Sequence, residues 1–414
     1  MRIGLVSLRK GSGCPPLGLV YYGTWLQEQG HEVDIIDAQY PKVNKKLAYE
    51  QIGISSMTVD YEKARKMGRW VKENTKTKVT IGGIHISTCP ESFDSEAFDE
   101  MVIGEGEKCD INDLPRPNWD LVNKRYFEEN PNTTFGEFGI EGVLMTSRGC
   151  PYNCIFCSTK SFWGKPRFHT PVYVAKCIQD LRQKGVTHIQ IWDDLFTINK
   201  ARIKEIKRFM DIFGINGIKF NCQPRTDLID DEMCEILKDF GVTKCIFGFE
   251  SGSNEVLKYL KANTTTVEQN KKAIELCHKH GLGVQGSVIF GSPNETLKEM
   301  NKTLEFMDWC YNNGVERLWS FNLTPFPGTK IWDWGVFHKI NSDWSVLSHT
   351  KQPLLLHESI TERQWDMVQH LRDRYEDKFK MNKVKSFLSK NPLKTIKYGL
   401  THIGEVIKSV NTHT

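Results

Sequence analysis

Nowhere in this 414-residue chain does an apolar run approach the roughly 18 residues of a membrane-spanning helix, so no such helix is expected. Nor is there a dense, evenly spaced cysteine framework. The 12 cysteines are scattered apart from one trio, which excludes a disulfide-stapled secreted scaffold and suits free thiols in a reducing cytosol. Charge of one sign is also missing. A net charge of +4 leaves no electrostatic footprint for nucleic acid, and none is expected as a partner. Fixed-period repeats and low-complexity tracts are absent. The start, Met1-Arg-Ile-Gly-Leu-Val6, has too short an apolar run for a signal peptide and no cleavage site after it. With 39% hydrophobic and 26% charged residues, the composition is that of a soluble globular protein. The length suits two domains with appendages better than one core.

The feature that stands out is Ser147-Arg-Gly-Cys-Pro-Tyr-Asn-Cys-Ile-Phe-Cys157, in which Cys150, Cys154 and Cys157 form a C-x3-C-x2-C array. Gly149 and Pro151 tighten the loop so that the thiols can converge, and Gly142-Val-Leu-Met-Thr146 reads as a strand feeding it. Three thiolates cannot close a four-cysteine iron–sulfur site, so one iron would lack a protein ligand. An open metal position is what catalysis uses and structural sites avoid. Zinc held with His169 as fourth ligand, in a binding or sensor protein, is the competing reading.

This array, with Phe156 just before the last cysteine, resembles the radical S-adenosylmethionine (SAM) superfamily. The resemblance implies a 4Fe-4S cluster whose open iron chelates SAM, and one-electron cleavage to a 5′-deoxyadenosyl radical. The electron would come from a donor such as flavodoxin or ferredoxin.

Residues 1–110 alternate strands (from Arg2, Glu32, Gln51, Lys78 and Glu100) with helices Leu17–Gln29 and Tyr61–Asn74, which predicts a doubly wound parallel sheet. Ligands on such sheets lie beyond the carboxyl ends of the strands. Pro15-Pro-Leu-Gly-Leu19, Gly53-Ile-Ser-Ser-Met-Thr58, Gly82-Gly-Ile-His85 and Gly104-Glu-Gly-Glu107 are similar, in order, to the cobalamin-binding domain that precedes many radical SAM domains. That makes Ser56, Thr58, Gly82, Gly83, His85 and Glu105 candidate cobalamin contacts. Two departures stand out. The D-x-H-x-x-G motif that carries a cobalt-ligating histidine is absent, and Tyr40–Glu50 is short for a loop plus a full second helix. A sheet kept as a structural cap, without cobalamin, is the alternative.

Asp113-Leu-Pro-Arg-Pro-Asn-Trp-Asp120 has no helix or strand period, so 111–137 is assigned as a linker. From 138 to 332 strands and helices alternate again in about six units. That pattern predicts a partial (β/α)6 barrel of the TIM type, open where eight units would close. Polar residues sit at four strand ends, where barrel chemistry lies: Asp193-Asp194, Arg225, Glu250-Ser251 and Gly291-Ser292. An arginine is the natural fork for the SAM carboxylate. Asp193 or Glu250 suits its ammonium or ribose, and backbone near Phe156 and Gly291 suits adenine. The resemblance puts Phe156, Asp193, Arg225, Glu250 and Ser251 among the cofactor contacts.

Residues 333–414 read as a helical tail. Thr361–Phe379 carries an apolar stripe. Near the end, Leu393, Ile396, Leu400, Ile403, Ile407 and Val410 share one helical face with lysines around it. That face suits docking on the barrel or peripheral contact with an anionic membrane. The whole implies a cobalamin-dependent radical SAM methyltransferase on a small molecule or lipid. Without cobalamin, oxidation, cyclisation or rearrangement by the same barrel is the alternative. No residue is assigned to the substrate or as catalytic.

Overall fold

The structure, a computed structural model, describes residues 1–8, 13–37, 48–132, 134–334, 343–348 and 353–390. The first sheet holds β1 (Arg2–Ser7), β2 (Glu32–Asp37), β3 (Gln51–Ser55), β4 (Lys78–Gly82) and β5 (Glu100–Met101), all parallel, in the order β2-β1-β3-β4-β5. Helix α1 (Leu17–Glu28) packs on β1 and β2, and α2 (Tyr61–Asn74) on β3 and β4. The short α3 (Ile84–Thr88) follows β4. Burial on both faces explains why Ile3, Leu5, Val6, Ile54, Val79 and Ile81, all under 5% exposed, form near-continuous apolar runs. In this strand order the direction of winding reverses between β1 and β3, and the crevice there is where such sheets bind ligands.

The linker is more structured than its prolines suggest. Its end folds into a hairpin, β6 (Asn130–Asn132) with β7 (Glu137–Gly139). Glu137 accepts from Lys219 at 2.6 Å and lies 2.9 Å from the His188 ring. Both partners sit where barrel strands begin, so the hairpin covers the amino-terminal end of the barrel.

The barrel sheet contains β8 (Glu141–Leu144), β11 (His188–Ile191), β12 (Lys219–Cys222), β13 (Val242–Glu250), β14 (Gly283–Phe290) and β15 (Arg317–Asn322), parallel and in sequential order. A small ribbon, β9 (Ser147–Arg148) with β10 (Arg167–Phe168), flanks the cysteine loop. Between strands run α4 (Thr159–Trp163), α5 (Pro171–Gln183), α6 (Lys200–Ile212), α7 (Asp231–Phe240), α8 (Asn254–Leu260), α9 (Val267–Lys279) and α10 (Leu297–Asn312). Their starts follow local chemistry: Asp230 caps α7, and Thr266 with Gln269 forms a capping box on α9.

Six strands leave an edge on β15, and α11 (Glu362–Lys390) covers it. Glu376 accepts from Ser320 N at 2.9 Å, and Arg372 donates to Ser320 O at 3.2 Å. Thus the helix supplies partners that a neighbouring strand would otherwise provide. Trp365, Val368 and Phe379 of the expected stripe are buried at 1% exposure or less. The basic face from Leu393 to Val410 lies outside the described residues. Among those described, no helix is long and apolar enough to cross a membrane.

Candidate functional site

The cysteine loop leaves β8 and is fastened at both ends by the two aspartates after β11. Asp193 is 1% exposed. It accepts from the backbone N–H and hydroxyl of Thr146 and from those of Ser147, the last two at 3.1 and 2.6 Å. Four donors fill the lone-pair positions of one carboxylate. Burial holds its pKa above the usual range, although those hydrogen bonds pull it down. Through these four donors Asp193 clamps the strand end. Asp194 accepts from Gly149 N at 2.8 Å and Thr159 Oγ1 at 2.9 Å, tying the start of the loop to its finish.

Cys150 and Cys154 are half-buried, Cys157 is exposed, and all three are free thiols. Together with Tyr152, Thr159, Lys160, Gly328 and others they line a cavity of about 230 Å³. Among the described residues no three His, Cys, Asp or Glu side chains already converge at metal-ligand geometry. The loop therefore brings three thiols to one cavity without closing a cage. Cys154 has two cationic neighbours. Arg225 Nη1 lies 3.7 Å from its sulfur, and Lys261 with Arg225 draws its pKa down against the larger upward push of burial. Cationic surroundings of this kind favour a thiolate.

Arg225 is spoken for on its other side. Its guanidinium pairs with Asp227 at 2.9 and 3.3 Å, donates to Thr264 and Thr265, and stacks 3.5 Å over the Tyr152 ring. The expected carboxylate fork is engaged within the protein, and what it presents to the site is one edge beside Cys154. Glu250 does face a cavity. With Phe156, Gln223, Phe247, Ser287, Asn322 and others it lines a lumen of about 310 Å³ inside the barrel. Its backbone is left-handed, φ 64°, a cost that a non-glycine residue carries mostly at functional positions. Lys261, 5% exposed in its side chain, stands 3.5 Å from its carboxylate. Sequence reasoning passed over Lys261, because Lys258-Tyr-Leu-Lys261 looks like the solvated end of a helix.

Ser251 lies outside that lumen: fully buried, it pairs with Thr303 Oγ1 at 2.9 Å and accepts from Ser253 N. Gly291 N donates to Glu295 Oε2 at 2.7 Å. Burial pushes the Glu295 carboxyl up to about 8, against the pull of two backbone N–H groups and Arg372.

The second crevice lies between the two sheets. Ser7, Leu8, Cys14 to Leu19, Tyr21, Ser55, Met57 and Asp60 form one wall, at the switch point between β1 and β3. Met145, Arg148, Trp163 and Trp192, from the barrel side, form the other. The lining is mostly apolar, and among the described residues it contains no histidine.

Most of the cobalamin contacts expected from sequence sit behind that crevice. His85 is fully buried. It packs on Tyr61 with ring centroids 4.1 Å apart, meets Trp344 edge-on at 4.6 Å, and lies within 3.2 Å of the Thr58 and Ser92 hydroxyls. Burial drops its pKa to about 4. Thr58 is thereby occupied, and Ser56, 1% exposed, bonds to the backbone around it. Gly83, at φ +97°, leaves no room for a side chain, since a Cβ there would come within 2.6 Å of Ser56 O. Gly82 hydrogen-bonds back to Ser56. These residues join β3 to β4. Glu105 turns to Arg148 and Arg167.

His169, the zinc alternative's fourth ligand, is stacked on Tyr173 at 4.2 Å and on Tyr21 at 6.2 Å and is 1% exposed. It does not line the cysteine cavity, which removes the observation that would have favoured zinc.

Residues 144–307 match the model of the radical SAM superfamily, and residues 5–110 match that of the B12 binding domain. An uncharacterized methyltransferase of Pyrococcus horikoshii is 27% identical over 80% of each chain. The bacteriochlorophyllide d C-8(2)-methyltransferase of Chlorobaculum tepidum is 26% identical over 75% of this chain and 73% of its own. In fold, the chain is similar to the radical SAM methyltransferase TsrM of Kitasatospora setae, solved with cobalamin and a [4Fe-4S] cluster bound: TM-score 0.65, 16% identity, covering 91% of this chain and 85% of that one.

Proposed function

The chain is a radical SAM enzyme with a B12-binding domain at its amino end, and from that premise we propose that it methylates a carbon of a small organic molecule using cobalamin. When bound, an open-iron cluster with SAM supplies one-electron cleavage to a 5′-deoxyadenosyl radical, and cobalamin supplies a methyl carrier.

The residues present fit both groups. Cys150, Cys154 and Cys157 would hold the iron. Arg225 and Lys261 offset negative charge beside Cys154. Glu250 presents a carboxylate to the barrel lumen, where it suits an ammonium or a ribose hydroxyl, and Phe156 and Phe247 give the same lumen an apolar surface for adenine. Leu8, Pro15 to Leu17 and Met57 offer a planar macrocycle a water-poor wall, opposite Trp163 and Trp192. The electron would come from a small flavin or iron–sulfur protein.

The observation that carries the methyltransferase reading is that this crevice is walled by both units, one wall running directly into the cysteine loop through Arg148. Relatives named for methylating a bacteriochlorophyllide support a small-molecule substrate. The test is to reconstitute the protein anaerobically with hydroxocobalamin, pass it over a gel-filtration column and read its absorbance. About one cobalamin per chain is expected to remain; a protein emerging without it contradicts the methyltransferase reading and leaves cobalamin-free radical chemistry.

A further inference from the structure

We propose that Arg148 is a positioning residue: with Glu105 and Glu107 it latches the B12-binding domain to the cysteine loop, fixing the two cofactor sites relative to each other. Arg148 lies two residues before Cys150, on β9. Its side chain is 4% exposed. The guanidinium donates to Glu105 and, at 3.3 Å, to Glu107 Oε1, both from the loop after β5. Arg167, opposite Arg148 in the β9–β10 ribbon, donates to Glu105 as well.

The planar faces of Arg148 are engaged too. Tyr21 of α1 lies 5.4 Å away and Trp163 of α4, just beyond Cys157, lies 5.1 Å away. One guanidinium thus touches two elements of the first domain and the helix that ends the cysteine loop. The acidic loop is itself seated against α1, since a Cβ on Gly106 would meet the Tyr22 ring at 2.7 Å. A charge this buried is held only by good geometry and partners, and removing a partner leaves it uncompensated. Arg148 also lines the interdomain crevice, and its Nε is a buried donor without a partner among the described residues. The Gly-Glu-Gly-Glu segment, which sequence suggests as a cofactor loop, therefore works on the cofactor through Arg148.

This inference rests on the two-cofactor reading, so its test has one arm that needs no cobalamin. In cluster-loaded protein without cobalamin, hydrogen exchange is followed by mass spectrometry in wild type, Glu105→Gln and Arg148→Lys. Lysine keeps the charge and loses the fork. We expect exchange in 104–107 and in 147–157 to rise together, about 10-fold or more, in both variants, with iron content unchanged. Exchange rising in 104–107 alone overturns the latch, as does a lowered melting temperature with both loops still protected. Should Glu105→Gln fail to fold, Glu107→Gln replaces it under the same criteria. In the second arm, cobalamin-loaded protein is reduced and the magnetic coupling between cob(II)alamin and the cluster gives their separation. A narrow distribution in wild type that broadens in Arg148→Lys is expected; identical distributions overturn the proposal. If wild type retains no cobalamin, the functional reading fails while the exchange arm still decides the latch.

Discussion

Asp193 shows how a residue can be legible in sequence and its work not. An acid at a barrel strand end is a reasonable ligand for a charged substrate, and the pattern Asp193-Asp194-Leu-Phe marks the spot. Which donors face it depends on where Thr146 and Ser147 arrive from another strand, and no local pattern encodes that. The same holds for Arg225, whose partner Asp227 is two residues away but whose contacts with Tyr152, Thr264 and Thr265 come from elsewhere. The cysteines were legible because their spacing alone limits what they can hold. Asp193→Ala would leave four buried donors without an acceptor. We expect it to cost about 3–5 kcal/mol and to halve the iron retained after reconstitution. Iron analysis beside a thermal melt checks both, and full iron content would show that the clamp is not what shapes the loop.

At the scale of elements, the parallel strands could be recognised as short apolar runs and the helices by their caps and glycine stops, because local chemistry sets both. The order of strands in the first sheet, and hence the crevice between β1 and β3, is tertiary information. So is the hairpin of β6 and β7, hidden in a proline-rich stretch. The stripe on α11 predicted burial without saying against what; the answer is the open edge of β15. Arg372, 7% exposed, donates to Ser320 and Asn322 there. Arg372→Ala should therefore lower stability by about 2–4 kcal/mol through lost packing and hydrogen bonds, seen as a lower urea midpoint. An unchanged midpoint would mean that α11 does not protect the edge.

For the whole molecule, acid acts on both units at once. His85 packs against the first sheet and His169 at the seam with the barrel. Burial lowers their pKa values to about 4 and about 3, whereas an unfolded histidine titrates near 6.5. As pH falls through about 6.5, the unfolded chain takes up protons that the native one refuses. Stability should therefore fall by up to about 1.4 kcal/mol per pH unit for each histidine, until the native pKa values are reached. Urea unfolding at pH 7.5 and 5.5 checks this: replacing His85 by Gln should flatten the dependence, and an equally steep slope in the variant would refute the assignment.

What unites the two sheets, the lumen and the crevice is the claim that Cys150, Cys154 and Cys157 hold a cluster open to SAM. The most direct test is to count 5′-deoxyadenosine released by the anaerobically reconstituted, reduced protein and by its three single cysteine-to-alanine variants. Release by the parent protein, with none above background from any variant, is predicted. Release that survives loss of a cysteine, or a parent protein loaded with one zinc and no sulfide, would contradict it.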